Sequence, residues 1–68
     1  MIIYNWSARR SGGRITIHGE RRAPFEDGSF VRLPVKVTAV DSIMVEGAKI
    51  VAIDKDEIEY ELISGWQA

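Results

Sequence analysis

The stretch AKIVAIDKDEIEYELI, residues 48–63, decides the fold of this chain because its pattern is that of a β-hairpin. Apolar residues alternate with glutamates over residues 57–62, and a period of two is typical of a strand with one buried face. The preceding residues 49–53 are rich in β-branched side chains and predict a second strand. Residues 54–57 would form the turn between the two strands.

The length of this turn determines which side chains of the hairpin face the core. A loop of two or four residues places Ile53 opposite Ile58. A loop of three residues instead places Ile53 opposite Glu59. A slip of one residue moves every side chain to the other face of the sheet. The sequence therefore favours the even loop, which puts Val51, Ile53 and Ile58 in the core.

The N-terminal third of the chain predicts another hairpin. A two-residue loop at residues 11–12 pairs Ala8 with Ile15 and places their side chains on one face. The same register pairs Trp6 with Ile17 on that face. Glycine in this segment supplies the positive φ that tight hairpin turns need.

The next connection contains the turn-forming pair Asp-Gly. A two-residue loop would pair Ile17 with the polar Thr38. A three-residue loop at residues 26–28 pairs Ile17 with Val37 and leaves Gly28 left-handed, as in a type I turn followed by a glycine bulge. The second register is the one expected, because it keeps apolar residues together.

The rest of the pattern completes an antiparallel meander. Residues 31–40 predict a long strand, residues 43–45 a short one, and no segment of about ten residues has helical periodicity. The sequence therefore predicts one all-β domain over residues 1–68, with five or six strands curled into an SH3-like small barrel or roll and no substantial helix. The predicted core consists of Tyr4, Trp6, Ile15, Ile17, Leu33, Val35, Val37, Val51, Ile53, Ile58, Tyr60 and Leu62.

Composition restricts how so small a domain gains stability. A chain of 68 residues forms one core of limited size. It has no cysteine and one histidine, which excludes disulfides, thiolate zinc sites and histidine-rich metal sites. Association with a partner is then the expected source of extra stability, and we predict no cofactor. The sequence shows no apolar run of about 20 residues and no signal-peptide layout, so a cytoplasmic location away from membranes is expected.

Candidate chemical groups are few, and we predict no enzyme. His18 is expected on the outer face of its strand without a carboxylate beside it. Asp54 and Asp56 fit ordinary turn chemistry better than a calcium loop, which needs further ligands at set spacing. Residues 11–14 could form a small anion-binding nest, but two glycines in a turn are more often just a turn.

Charge is unevenly distributed along the chain. Residues 1–40 hold seven Lys/Arg and three Asp/Glu, or +4, whereas residues 41–68 hold two and seven, or −5. Such asymmetry indicates a surface for nucleic acid or an acidic partner, or attraction between the two halves. Arg9 and Arg14 are predicted to lie directly opposite each other, where like charges are destabilising unless an anion lies between them.

A basic outer face on the first three strands is the predicted binding site. No aromatic residue is expected on these strands' outer face, which argues against binding of single-stranded nucleic acid. Arg21 and Arg22 are expected in a flanking loop. The predicted partner or nucleic-acid site comprises Arg9, Arg10, Arg14, His18, Arg32 and Lys36.

An apolar patch opposite the core suggests a homodimer. A turn at residues 46–47 pairs Ile43 with Ile50 and Val45 with Ala48 on the face away from the predicted core. Exposed apolar patches often mark interfaces. Trp66 could plug an open end of the barrel or dock on a neighbour. The predicted interface comprises Ile43, Val45, Ile50 and Trp66.

Residues 6–19, WSARRSGGRITIHG, followed later by the DKD turn at 54–56 and the strand EYEL at 59–62, resemble short uncharacterised bacterial and prophage-type proteins. The resemblance implies an origin in bacteria or their phages and no particular activity. The residues themselves favour a non-enzymatic protein-interaction or assembly module. The alternative is a small β-barrel that binds nucleic acid through the basic face.

Overall fold

The computed structural model describes residues 1–66, which form five β-strands. Each strand pairs antiparallel with the next, and β1 pairs in parallel with β5, which closes the sheet into a small barrel. The predicted all-β meander is confirmed. In this part of the chain no helix is long and apolar enough to cross a membrane. The strands are β1 (Ile2–Ser11), β2 (Arg14–Pro24), β3 (Phe30–Glu46), β4 (Lys49–Asp54) and β5 (Glu59–Ile63).

The β1–β2 hairpin turns at Gly12 and Gly13 rather than at residues 11–12. Both glycines have positive φ, 59° and 79°, as a type I′ turn requires at its two central positions. Ala8 therefore pairs with Ile17 rather than with Ile15. The shift along the partner strand is two residues, so the predicted inner and outer faces of this part of the hairpin are kept.

A β-bulge in β1 reverses the alternation near its N-terminus. The pairing with β2 shifts between Tyr4 and Ser7, and Asn5 has a φ of 50°. Asparagine adopts this left-handed conformation more readily than most residues. Ile3 consequently faces the core, fully buried beside its β5 neighbour Leu62. Tyr4, predicted to be in the core, is buried at 5% exposed, but it lies on the outer side of the sheet and not in the core cluster.

Between its loop and Ile17 the β2–β3 hairpin has the predicted register, and beyond Ile17 a shift pairs Ile15 with Val40. Ile17 pairs with Val37, and the loop is closed by a hydrogen bond from Phe25 N–H to the Ser29 carbonyl at 3.0 Å. Gly28 has a φ of 87°, as expected for the bulge position after a type I turn.

The distal half of this hairpin extends beyond the barrel as a two-stranded arm. β1 pairs with β2 only as far as Glu20, and β4 pairs with β3 only from Val40 onward. The intervening parts of β2 and β3 pair with each other, which makes the molecule elongated, 42 × 26 × 20 Å. Pro34 lies in the part of β3 that has a free edge, where a residue without an N–H donor is tolerated.

The β4–β5 hairpin has the odd register, so the predicted even loop is wrong. Ile53 pairs with Glu59. Asp54 N–H donates to the Ile58 carbonyl at 3.1 Å, and Glu57 N–H donates to the Asp54 carbonyl at 3.0 Å. This three-residue loop requires Glu57 at a φ of 63°. Ile58, predicted to be in the core, is 52% exposed.

The Asp54 side chain explains why this turn forms without a glycine. It is 8% exposed, and its Oδ1 accepts hydrogen bonds from the N–H groups of Asp56 and Ile58 at 2.8 and 3.0 Å. Its Oδ2 accepts one from the Tyr60 hydroxyl at 2.9 Å. Burial opposes ionisation, but these donors outweigh it and lower the pKa of Asp54, while the bond to Asp54 raises the pKa of Tyr60. The carboxylate acts as the anchor of the turn, not as an open ligand for calcium.

We expect this anchor to make stability pH-dependent. A carboxyl whose pKa is lowered by folding stabilises the protein above its ordinary pKa of about 3.9, and that contribution is lost as pH falls through the lowered value. Asp54→Asn should therefore lower the urea midpoint at pH 7 and flatten its decline between pH 5 and pH 2. Asp56→Asn, an exposed change in the same turn, is the control. An unchanged pH profile for Asp54→Asn would contradict the anchor role.

The odd register also changes which residues of β3 and β4 form the core. Ala52 and Ile50 face inward, and so does their β3 neighbour Ile43. The predicted interface patch is therefore wrong for Ile43 and Ile50, while Val45 is 73% exposed. Val51 faces the other side but is still buried. The core cluster is Ile3, Ile17, Val37, Val40, Ala52 and Leu62, with Trp6, Ile15, Val35, Ile43, Ile50 and Tyr60 packed against it.

Candidate functional site

The strand registers bring most of the predicted site residues to one outer surface. His18 lies between Ser7 of β1 and Lys36 of β3, and Arg22 lies directly opposite Arg32. All alternate with inward residues such as Ile17 and therefore point away from the core. We call this surface the basic face: Arg9, Arg14, His18, Arg22, Arg32 and Lys36.

Three details of the predicted site are corrected by the structure. Arg10 pairs with Ile15 and belongs to the other side of the sheet, so it is not part of the basic face. Arg9 lies opposite Thr16 rather than opposite Arg14, because the turn is at the two glycines. Arg22 lies within β2 rather than in a loop, and it joins the site.

The charges of the basic face are not neutralised by the acidic half of the chain. Within residues 1–66, the only ion pair joins Lys49 Nζ to Glu61 Oε1 at 3.9 Å. Glu20 shares the outer side of β2, between His18 and Arg22, but makes no ion pair with either. Arg9, Arg14 and Lys36 therefore have no carboxylate partner within residues 1–66 and are available to an external anion.

An arginine–aromatic stack occupies one end of the basic face. Tyr4 and Trp66 stack with ring centroids 4.9 Å apart and planes 11° from parallel. Phe30 lies 6.4 Å from Trp66. The Arg22 guanidinium is 4.5 Å from the centre of the Tyr4 ring and 4.7 Å from that of Phe30. The Arg32 guanidinium is 4.2 Å from the centre of the Trp66 ring.

This stack explains how Arg22 and Arg32 tolerate each other across the ladder. Like charges directly opposite are destabilising, but each guanidinium lies against an aromatic face, which attracts a cation. Arg22 Nη2 also donates to the Trp66 carbonyl at 3.2 Å. The prediction that the strands carry no outward aromatic is wrong, because the bulge at Asn5 turns Tyr4 outward.

Trp66 is held on the outer surface of its own barrel. Gly65 has a φ of 67°, and its carbonyl accepts a hydrogen bond from Asn5 N–H at 2.9 Å. This bond and the stacking place the indole on Tyr4. Trp66 therefore packs on the outer surface of its own chain and does not plug the end of the barrel.

An open cleft of about 340 Å³ lies beside the stack. It is lined by Met1, Ile2, Tyr4, Arg21 and Arg22. It thus places open space next to two of the side chains that form the stack. A planar group bound there would have both an aromatic ring and a guanidinium within reach.

Comparisons with protein-family models, with curated proteins and with solved structures found no match. The resemblance to bacterial and phage proteins therefore stays a prediction. Among residues 1–66, no group of three or more His, Cys, Asp or Glu side chains could hold a metal ion.

Proposed function

We propose that this protein is a non-enzymatic module that binds nucleic acid through phosphate contacts on the basic face. The observation that carries the proposal is the set of Arg and Lys side chains on one surface of β1, β2 and β3 that have no carboxylate partner within residues 1–66. Arginine and lysine supply the phosphate contacts that dominate affinity for nucleic acids. Ser7, Ser11 and Thr16 lie on the same surface and can donate further hydrogen bonds to phosphate.

The geometry supports this function better than assembly through an apolar patch. Ile43 and Ile50, which the sequence placed in a dimer interface, pack against the core. Trp66 is engaged by its own chain. The basic face instead has the positive charges on neighbouring strands that are the basis of the nucleic-acid alternative. A bacterial or phage origin and a cytoplasmic location, predicted from the sequence, are compatible with this role.

We expect Arg9→Ser/Arg14→Ser to weaken nucleic-acid binding while folding is preserved. Both side chains are exposed, and exposed substitutions of this kind usually change the free energy of unfolding by within about 0.5 kcal/mol. If both contact phosphates, the slope of log affinity against log salt for a single strand should fall by about 1.4, or 0.7 per contact. Fluorescence anisotropy of a labelled oligonucleotide over a range of salt concentrations measures this slope.

A charge-matched variant separates a local contact from a general charge effect. Lys49→Ser/Lys55→Ser also removes two positive charges, but from β4 and the following turn. Its salt slope should equal that of the wild type. Equal loss in both double variants, or no binding by the wild type at low salt, would remove the support for a nucleic-acid surface.

Self-association through charge is the second candidate function. Glu59 and Glu61 lie on the outer side of β5. Arg9 and Arg14 have no ion-pair partner within the described residues. In that case a second copy of the chain would supply the anions. Sedimentation would then show a dimer at low salt that dissociates at high salt and in the Arg9→Ser/Arg14→Ser variant. A monomer under all of these conditions would exclude this candidate.

A further inference from the structure

The contacts of Trp66 resemble those that a nucleotide would make at the same place. Its ring stacks on Tyr4 and lies against the Arg32 guanidinium. Its carbonyl oxygen accepts a hydrogen bond from Arg22. A base presents a planar ring, and its sugar and phosphate present acceptor oxygens. Base stacking on aromatic side chains, with arginine contributing cation–π contacts, is how proteins hold single strands.

The framework of this site belongs to the β-strands of the barrel and its arm, and not to Trp66. Tyr4 is positioned by the bulge in β1 and by its parallel pairing with Ile63 of β5. Arg22 and Arg32 are opposite each other in the β2–β3 ladder. Trp66 follows β5 after a turn and is not part of any strand. It can therefore leave without breaking a ladder hydrogen bond.

We infer that Trp66 occupies a base-stacking site on Tyr4 and Arg32, and that single-stranded nucleic acid displaces it. The inference rests on the proposed function and names its substrate class and its regulation. A strand bound on the row from Arg14 through His18 reaches Arg22 after passing Glu20, since these side chains share one side of β2. The base of the nucleic acid that follows at Arg22 then reaches the arginine–aromatic stack. Duplex bases are already stacked and paired, so a duplex can use the basic face but not this site.

Trp66 fluorescence in a Trp6→Phe background tests the displacement directly. The protein contains two tryptophans, so this change leaves Trp66 as the only one. Trp6 is a suitable residue to replace because its buried indole N–H has no hydrogen-bond partner, so phenylalanine removes an unsatisfied donor and loses only part of the packing against the core. A single-stranded oligonucleotide should shift Trp66 emission to longer wavelength and increase its quenching by acrylamide. A duplex bound to the same degree should leave both unchanged.

Removal of the indole provides the second test. If Trp66 fills the site at least nine-tenths of the time, Trp66→Ala should bind single strands at least about tenfold more tightly, because the competent state is no longer masked. Phe25→Ala removes an exposed aromatic ring outside the stack and should leave affinity unchanged. Lower affinity in Trp66→Ala would overturn the inference by showing that Trp66 is itself a contact for the ligand.

The outcomes distinguish the inference from the function on which it rests. Salt-dependent binding of single strands by the wild type, without any change in Trp66 emission or quenching, would leave the proposed function intact and overturn the displacement. No binding of any oligonucleotide at low salt, by the wild type or by Trp66→Ala, would overturn both. Binding that is equal for single strands and duplexes in every variant would also overturn the stacking site.

Discussion

Gly19→Ala is expected to unfold this protein or to leave it barely stable. A Cβ at Gly19 would lie 2.8 Å from the Tyr4 carbonyl oxygen and 3.3 Å from the Trp6 Cα, and closer still to Cγ2 of Ile3. Two of these three neighbours are backbone atoms of the paired strand, which cannot move without disrupting the bulge. Overpacking of this kind costs about 1–3 kcal/mol or more. A domain of this length has only about 3–10 kcal/mol in total, at 0.05–0.15 kcal/mol per residue.

Gly12→Ala is the matched control for this prediction. A Cβ at Gly12 meets no atom within 4 Å, but the residue has a φ of 59°, which costs an L-residue roughly 1–2 kcal/mol. Urea denaturation followed by circular dichroism should show a larger loss for Gly19→Ala than for Gly12→Ala. Equal losses would mean that the strands do not approach as closely at Gly19 as the structure indicates.

The sequence predicted the register of β2 with β3 from the loop to Ile17 because the turn between them has recognisable residues. An Asp-Gly pair predicts a glycine bulge, and Gly28 adopts the left-handed conformation there. The inner and outer faces of the β1–β2 hairpin near its turn were predictable for the same reason. The two consecutive glycines fix a tight turn, and a shift of two residues leaves the alternation unchanged.

The errors in the predicted fold occur at residues whose backbone conformation the sequence does not indicate. Among residues 1–66, the residues other than glycine with positive φ are Asn5, Ala39 and Glu57. The bulge at Asn5 exchanges the faces of its N-terminal neighbours. Ala39 lies where β3 shifts its pairing, and the shift brings Val40 into the core. Glu57 completes the odd loop of β4 and β5.

The candidate site likewise has a part that could be predicted from the sequence and a part that could not. Arg9, Arg14, His18 and Lys36 alternate within regular stretches of strand, so their common outer surface could be predicted. The stack could not, because it depends on the bulge that turns Tyr4 outward. It also depends on a contact between Arg22 and Trp66, which are 44 positions apart in the sequence. No periodicity within a strand predicts such a contact.

Ala52→Asp should abolish folding, and this result would establish the odd register of the β4–β5 hairpin. Ala52 is fully buried within the core cluster, where its cross-strand neighbours are Ile43 and Tyr60. A carboxylate at this position would be desolvated without a partner, which costs several kcal/mol per ion in proteins. Circular dichroism and a denaturant titration at pH 7 should show an unfolded chain.

Ile58→Asp is the informative comparison, because the two registers predict opposite results for the pair. In the even register Ile58 is a core residue and Ala52 lies on the other face, so Ile58→Asp would unfold the protein and Ala52→Asp would be tolerated. In the structure Ile58 is 52% exposed, and its replacement should change the free energy of unfolding by about 1 kcal/mol or less. Since the turn is anchored by Asp54 through the backbone N–H of residue 58, a change of side chain there leaves the anchor in place.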